Sequence, residues 1–82
     1  MSLEADFQAA LAHSKTLPGQ SPTTQLMLYG LFKQSTLGDV QGKRPGALDL
    51  RGRAKYDAWA SRSGQSKDEA MQGYIEAIAS LS

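Results

Sequence analysis

Ser66-Lys67-Asp68-Glu69 restricts the fold of this chain more than any other short stretch. A serine followed three residues later by glutamate forms a capping box, in which each side chain takes a hydrogen bond from a backbone N–H at the other residue. Met71, Tyr74, Ile75, Ile78 and Leu81 then recur at three- and four-residue intervals. That spacing lines up one apolar face and predicts an amphipathic helix from the box to the C-terminus. Such a helix buries its face only against other elements, so the rest of the chain must supply them.

Three further helices are predicted. The first covers about Leu3 to Lys15, with Ser2 as N-cap and Leu3, Phe7, Ala10 and Leu11 on one stripe. Thr16-Leu17-Pro18-Gly19-Gln20 breaks it. The second opens at Ser21-Pro22, a cap followed by proline at the first helical position, and runs to about Thr36. Leu28, Leu31, Phe32 and Ser35 share one of its faces; Tyr29, Phe32 and Lys33 share the next. The third opens at Asp49 and runs to about Arg62, carrying Arg51, Ala54, Lys55, Ala58 and Trp59, before Ser63-Gly64 ends it. Trp59, beside Ala58 and Ala54, is expected to be a core side chain. Leu37 to Leu48, punctuated by Gly38, Gly42, Pro45 and Gly46, is longer than most helix–helix links and is expected to cross the bundle. No segment alternates with the period of a strand. The fold class is therefore all-α, a four-helix bundle, with residues 1–82 as a single domain.

The 82 residues include no cysteine, which excludes disulfides and cysteine-ligated zinc and is compatible with a reducing compartment. One histidine, His13, cannot make a multi-histidine metal site. It is read as a surface residue favoured by the C-terminal end of its helix. Nine basic and eight acidic residues leave a net charge of +1, which argues against a general nucleic-acid binder. No apolar run approaches the roughly 18 residues of a membrane span, and no basic-then-apolar secretory segment opens the chain. The expectation is a cytoplasmic monomer without stable membrane insertion.

No catalytic constellation and no phosphate-loop spacing is visible, so no enzyme is expected. Two basic groupings carry more information. Tyr29 and Lys33 lie one turn apart on helix 2, as do Arg51 and Lys55 on helix 3. Where the two helices meet, these cations and the phenol can face one anion, and phosphate favours such charge-assisted bonds. On spacing alone, Tyr29, Phe32, Trp59 and Tyr74 are more often core residues than a ligand box, and lysines one turn away more often a solvated face.

Leu28-Tyr29-Gly30-Leu31-Phe32-Lys33-Gln34-Ser35-Thr36-Leu37-Gly38-Asp39 resembles the helix 2 signature of the acyl-CoA-binding proteins. Arg44-Pro45-Gly46-Ala47-Leu48-Asp49, Gly52-Arg53-Ala54-Lys55-Tyr56-Asp57-Ala58-Trp59 and Ser66-Lys67-Asp68-Glu69-Ala70-Met71 resemble the same family's later motifs, in order and at matching intervals from Tyr29 to Tyr74. The resemblance implies an up-down-down-up bundle with the long loop as an overhand link. It implies a medium- to long-chain acyl-CoA ester as ligand, no cofactor, and carriage rather than catalysis. It further implies that Tyr29, Lys33 and Lys55 meet the 3′-phosphate and nearby CoA groups, with Arg51 close by. Tyr74 would pack near adenine and ribose, and Phe7, Ala10 and Lys15 would line the other side. The chain departs from the pattern at Phe32, where tyrosine is common, and at Tyr56, where tryptophan is common. The interval from Phe7 to Tyr29 is also one residue shorter. The rival reading is a helical module that holds a partner peptide in an apolar groove; a thioesterase would need a nucleophile or base that the sequence does not offer.

Overall fold

A computed structural model describes residues 2–82. Four helices follow in order: α1 (Leu3–Ser14), α2 (Pro22–Leu37), α3 (Leu50–Ala60) and α4 (Lys67–Leu81), and no strand occurs among the described residues. Each start has its side-chain cap. Ser2 Oγ accepts from Ala5 N at 3.1 Å, Ser21 Oγ from Thr24 N at 3.2 Å, and Asp49 Oδ1 from Gly52 N at 2.9 Å. The capping box closes in both directions, Glu69 N to Ser66 Oγ at 3.0 Å and Ser66 N to Glu69 Oε1 at 2.9 Å. These bonds satisfy N–H groups that have no partner within the helix.

Pairs of residues fix the topology. Phe7 meets Tyr74 and His13 meets Ser82, so α1 and α4 run in the same direction. Gln34, late in α2, reaches Gln65, just before α4, so α2 and α4 are antiparallel. Pro22 and Tyr29 face Leu50 and Lys55 while Lys33 lies over Trp59, so α2 and α3 are parallel. The order is up-down-down-up. Contacts join α1 to α4, α4 to α2, and α2 to α3, leaving α3 packed against α2 alone.

Phe7, Ala10, Leu31, Ala70, Tyr74 and Ile78 form the buried core. Leu11, Leu17, Met27, Leu28, Phe32, Met71 and Ile75 pack around it. Leu17, from the break after α1, thus anchors that link to the bundle.

α3 departs from expectation twice. It stops at Ala60 rather than Arg62, because Arg62 N and Ser63 N bond to the carbonyls three residues back, Trp59 and Ala60. This tighter turn leads into Gly64 at φ +96°. Trp59 is not a core residue but only half-buried, as α3 has one neighbouring helix and no fully buried side chain. Its indole Nε1 donates to Gly38 O at 2.7 Å.

That bond belongs to a series that straps the long loop along α3. Tyr56 Oη donates to Gly42 O at 3.1 Å and Arg53 Nε to Pro45 O at 2.9 Å. Arg44 grips Asp57 with Nε at 2.9 Å and Nη2 at 2.7 Å. The loop therefore runs antiparallel to α3, held by side chains at 53, 56, 57 and 59. The Asp57 carboxyl is held below its ordinary pKa by the Arg44 hydrogen bonds, and Arg44 is raised by the same pairing. At the loop's start, Asp39 Oδ1 accepts from Gln34 Nε2 at 2.8 Å and Gly64 N at 3.0 Å.

Candidate functional site

At Gly30 the backbones of α2 and α3 come into close contact. A Cβ there would collide with the Ala58 carbonyl oxygen and stand 2.9 Å from its carbon. With only hydrogen at that point, the backbones approach closely. The side chains on either side of the contact, Tyr29 and Lys33 on α2 and Lys55 and Trp59 on α3, are thereby brought to one place.

Lys33 Nζ lies 5.8 Å from the centroid of the Tyr29 ring and 5.1 Å from that of Trp59. Lys55 Nζ lies 5.6 Å from the other helix's Tyr29. Each ammonium is within reach of a ring's negative face. The one ion pair among the described residues is Arg44 with Asp57. Lys33, Lys55 and Arg51 therefore have no carboxylate partner there. Two lysines converging on one phenol without a counter-charge make a surface that an anion would complete.

Beside this cluster a cleft of about 690 Å³ opens between α2 and α3, a size suited to a small-molecule ligand. Pro22, Gln25, Leu26 and Tyr29 line it from α2, and Leu50, Arg51, Ala54 and Lys55 from α3. Its walls are thus leucine, alanine, proline and glutamine, with Tyr29 and Lys55 together at one place and Arg51 a turn away beside Leu50. That suits an amphiphile with an anionic head.

The nine residues singled out in the sequence do not all come together. Tyr29, Lys33, Arg51 and Lys55 are brought together at the cleft and its cationic edge. Phe7, Ala10 and Tyr74 are core residues, with Phe7 and Tyr74 edge-to-face at 5.4 Å. Phe32 bridges toward that core, half-buried, its ring stacked 6.5 Å from Phe7. Lys15 is exposed as the C-cap of α1 and does not line the cleft. His13 is exposed and its Nε2 is 2.9 Å from Ser82 Oγ, a contact between helix ends.

Sequence reasoning missed Pro22, Gln25, Leu26, Leu50 and Ala54. The signal was present: 22, 25 and 26 follow helical spacing back from Tyr29, while Leu50 and Arg51 lie four and three residues back from Ala54 and Arg51 four back from Lys55. It also missed Trp59 as the shelf under Lys33, because it assigned that ring to the core.

Fold and cleft are those of a small helical bundle that sets unpaired cations beside apolar side chains. The acyl CoA binding protein family matches residues 4–78. Acyl-CoA-binding domain-containing protein 1 of Oryza sativa subsp. japonica is 48% identical over 82 residues, covering 99% of this chain and 90% of that one. The acyl-CoA-binding protein of Ricinus communis is 44% identical, covering 99% and 91%. The crystal structure of Oryza sativa acyl-CoA-binding protein 2 superposes with a TM-score of 0.94 at 43% identity, covering 98% of this chain and 90% of that one. That of the protein from Moniliophthora perniciosa gives 0.89 at 41%, covering 99% and 80%. The chain belongs to the acyl-CoA-binding protein family, a family of binding proteins.

Proposed function

We propose that this chain binds medium- to long-chain fatty acyl-CoA esters and carries them as a monomer in the cytoplasm, as one domain, without catalysing a reaction on them. The observation that supports this reading is the cluster of Tyr29, Lys33 and Lys55, with no carboxylate partner among the described residues, at the edge of a cleft walled by Leu26, Leu50 and Ala54.

In this reading Lys33, Lys55 and Tyr29 hold the 3′-phosphate and neighbouring CoA groups. Arg51, across the cleft mouth, takes a second anionic group. Phe32, the half-buried ring, borders the adenosine end; Tyr74, Phe7 and Ala10 back it from the core, and Lys15 stands exposed on the α1 side. Each charge-assisted contact contributes about 1.5–3 kcal/mol. Every tail methylene the cleft buries adds up to about 0.8 kcal/mol. The head thus selects CoA and the tail orders the chain lengths. Sequestration needs no acid, base or nucleophile.

Calorimetric titration with free CoA, octanoyl-CoA and palmitoyl-CoA tests the reading. Affinity should rise in that order, and incubation with palmitoyl-CoA should release no free thiol. Equal affinity for all three would remove the tail from the site, and no binding to any would end the proposal. Lys55→Ala should weaken palmitoyl-CoA binding by about 1.5–3 kcal/mol while leaving the fold intact, because Lys55 is exposed. Its effect on the 3′-dephospho ligand should be much smaller. An equal loss on both ligands would show that Lys55 does not hold that phosphate.

A further inference from the structure

Contacts join the helices in the order α1, α4, α2, α3, in a molecule whose principal dimensions are 42 × 28 × 15 Å. α1 and α3 are the two ends of that line, and the long loop is strapped to α3.

Charge is sorted along it. α1 and α4 carry five carboxylates, Glu4, Asp6, Asp68, Glu69 and Glu76, against one cation, Lys67, a balance of −4. Residues 22–65, which are α2, the loop, α3 and the turn after it, hold seven cations against Asp39, Asp49 and Asp57, a balance of +4. Lys15, between α1 and α2, completes the chain's total of +1. The near-neutral total thus conceals a dipole, and the cleft between α2 and α3 lies at its positive end.

Two of these cations stand outside the cleft. Lys43 is exposed, and its neighbours fix its place: Gly42 O accepts from Tyr56 Oη at 3.1 Å and Arg44 grips Asp57, so position 43 rides on α3. Arg62 sits in the tight turn that closes α3. Neither lines the cleft, and neither has a carboxylate partner among the described residues.

We propose that Lys43 and Arg62 are capture residues: with the sorted charge of the whole molecule, they draw a polyanionic ligand to the α2–α3 end and speed its entry, without holding it once bound. This steering presupposes the acyl-CoA ligand proposed above, and assigns the rate of its arrival to residues that do not touch it. Salt screens charges beyond about 30 Å at 0.01 M and about 10 Å at 0.1 M. The first length is comparable with the molecule itself. In dilute salt an approaching phosphate is therefore repelled by the α1–α4 side and attracted to the α2–α3 side from a distance. In stronger salt it meets only the charges nearest to it. Charge outside a contact alters arrival rather than departure, and such fields raise association rates by about 10- to 1,000-fold.

Stopped-flow mixing with octanoyl-CoA measures arrival and departure separately. In about 0.01 M salt, Lys43→Glu and Arg62→Glu should each slow association about two- to fivefold and leave dissociation unchanged. Both losses should vanish by about 0.5 M salt. The decisive variant combines Lys43→Glu with Glu76→Lys, which keeps the net charge at +1 while moving a cation to the acidic side. Glu76 is exposed on α4 and accepts only from Gln72, at 3.3 Å, so the exchange spares the core. Association should stay slow in this variant, because the placement of charge and not its total does the steering. An unchanged dissociation rate reports an intact site in each variant. The proposal is overturned by any of four results: association insensitive to salt, wild-type association by Lys43→Glu, full recovery in the double variant, or a loss that appears in dissociation instead. The last would make Lys43 a ligand contact. All four leave the acyl-CoA reading standing, whereas no binding of octanoyl-CoA at any salt concentration would remove that reading and the steering together.

Discussion

Lys33 Nζ sits 5.1 Å from the centre of the Trp59 ring, and the same indole donates its N–H to Gly38 O at 2.7 Å. The loop bond fixes the ring, and the ring in turn offers a shelf to the ammonium. Trp59 is thereby a positioning residue for a cation at the proposed head-group site.

Trp59→Phe should retain most of the shelf and lose the bond to Gly38, costing about 0.5–1.5 kcal/mol of stability. Trp59→Leu should lose both and weaken palmitoyl-CoA binding by a further 0.5–2 kcal/mol or so, the scale of a cation–π contact. Melting curves and calorimetry on both variants separate the effects. If Trp59→Leu binds as tightly as Trp59→Phe, the ring does not position Lys33.

Gly30→Ala should be among the most damaging one-carbon changes in the chain. The methyl would meet the backbone of Ala58 rather than a flexible side chain, so α3 itself must move away from α2. Overpacking of this kind costs about 1–3 kcal/mol. Because the same contact sets Tyr29 and Lys33 against Lys55 and Trp59, ligand affinity should fall along with the melting temperature. A Gly30→Ala protein that melts and binds like the wild type would show that the helices have room there.

The elements were legible because each helix start carries its own chemistry: Ser2, Ser21 with Pro22, Asp49, and the Ser66–Glu69 box all cap in the structure. The basic groupings were legible for the same local reason, since Tyr29 with Lys33 and Arg51 with Lys55 are single helical turns. What spacing cannot carry is which face meets which neighbour. α3 touches only α2, so Trp59 stays half-buried although its run of small apolar neighbours reads as core. Tyr74 and Phe7 lie between α1 and α4, a pairing of distant segments that no local pattern encodes. The family motifs supplied the topology, but the loop strap built by Arg53, Tyr56, Asp57 and Trp59 emerged only from the folded geometry.

Acid should loosen the loop before it unfolds the core. Asp39 is held below its ordinary pKa by the Gly64 N–H and then by the Gln34 amide; Asp57 is lowered by Arg44, and Glu69 by the Ser66 backbone. A carboxyl whose folded pKa lies below its unfolded value of about 3.9–4.3 binds more protons when unfolded. Its contribution is complete above that value and is lost as pH falls through the folded pKa. The melting temperature should therefore be flat with respect to these groups above about pH 5 and decline below about pH 4. Asp39→Asn should melt lower than wild type at neutral pH, with the difference closing as the pH falls. A difference that persists unchanged in acid would remove Asp39 from this role.

Phe32 offers the sharpest division between the core and the proposed ligand side. Its ring stacks on Phe7 at 6.5 Å, yet the residue is half-buried, so one edge remains accessible. Phenylalanine there packs but cannot donate, whereas a tyrosine adds a hydroxyl at the far end of the same ring. Phe32→Tyr should tighten acyl-CoA binding by about 0.5–1.5 kcal/mol when the hydroxyl finds a neutral partner, and by more at a phosphate. The gain should be equal for octanoyl- and palmitoyl-CoA, because the proposed reading puts the tail in the cleft and not on this ring. Thermal stability should change little, since the added oxygen can stay in water. Calorimetry with both ligands decides the matter. Unchanged or weaker binding of both, together with a fall in melting temperature, would mean that the para position points into the Phe7–Tyr74 core, where an unpartnered hydroxyl costs about 1–3 kcal/mol.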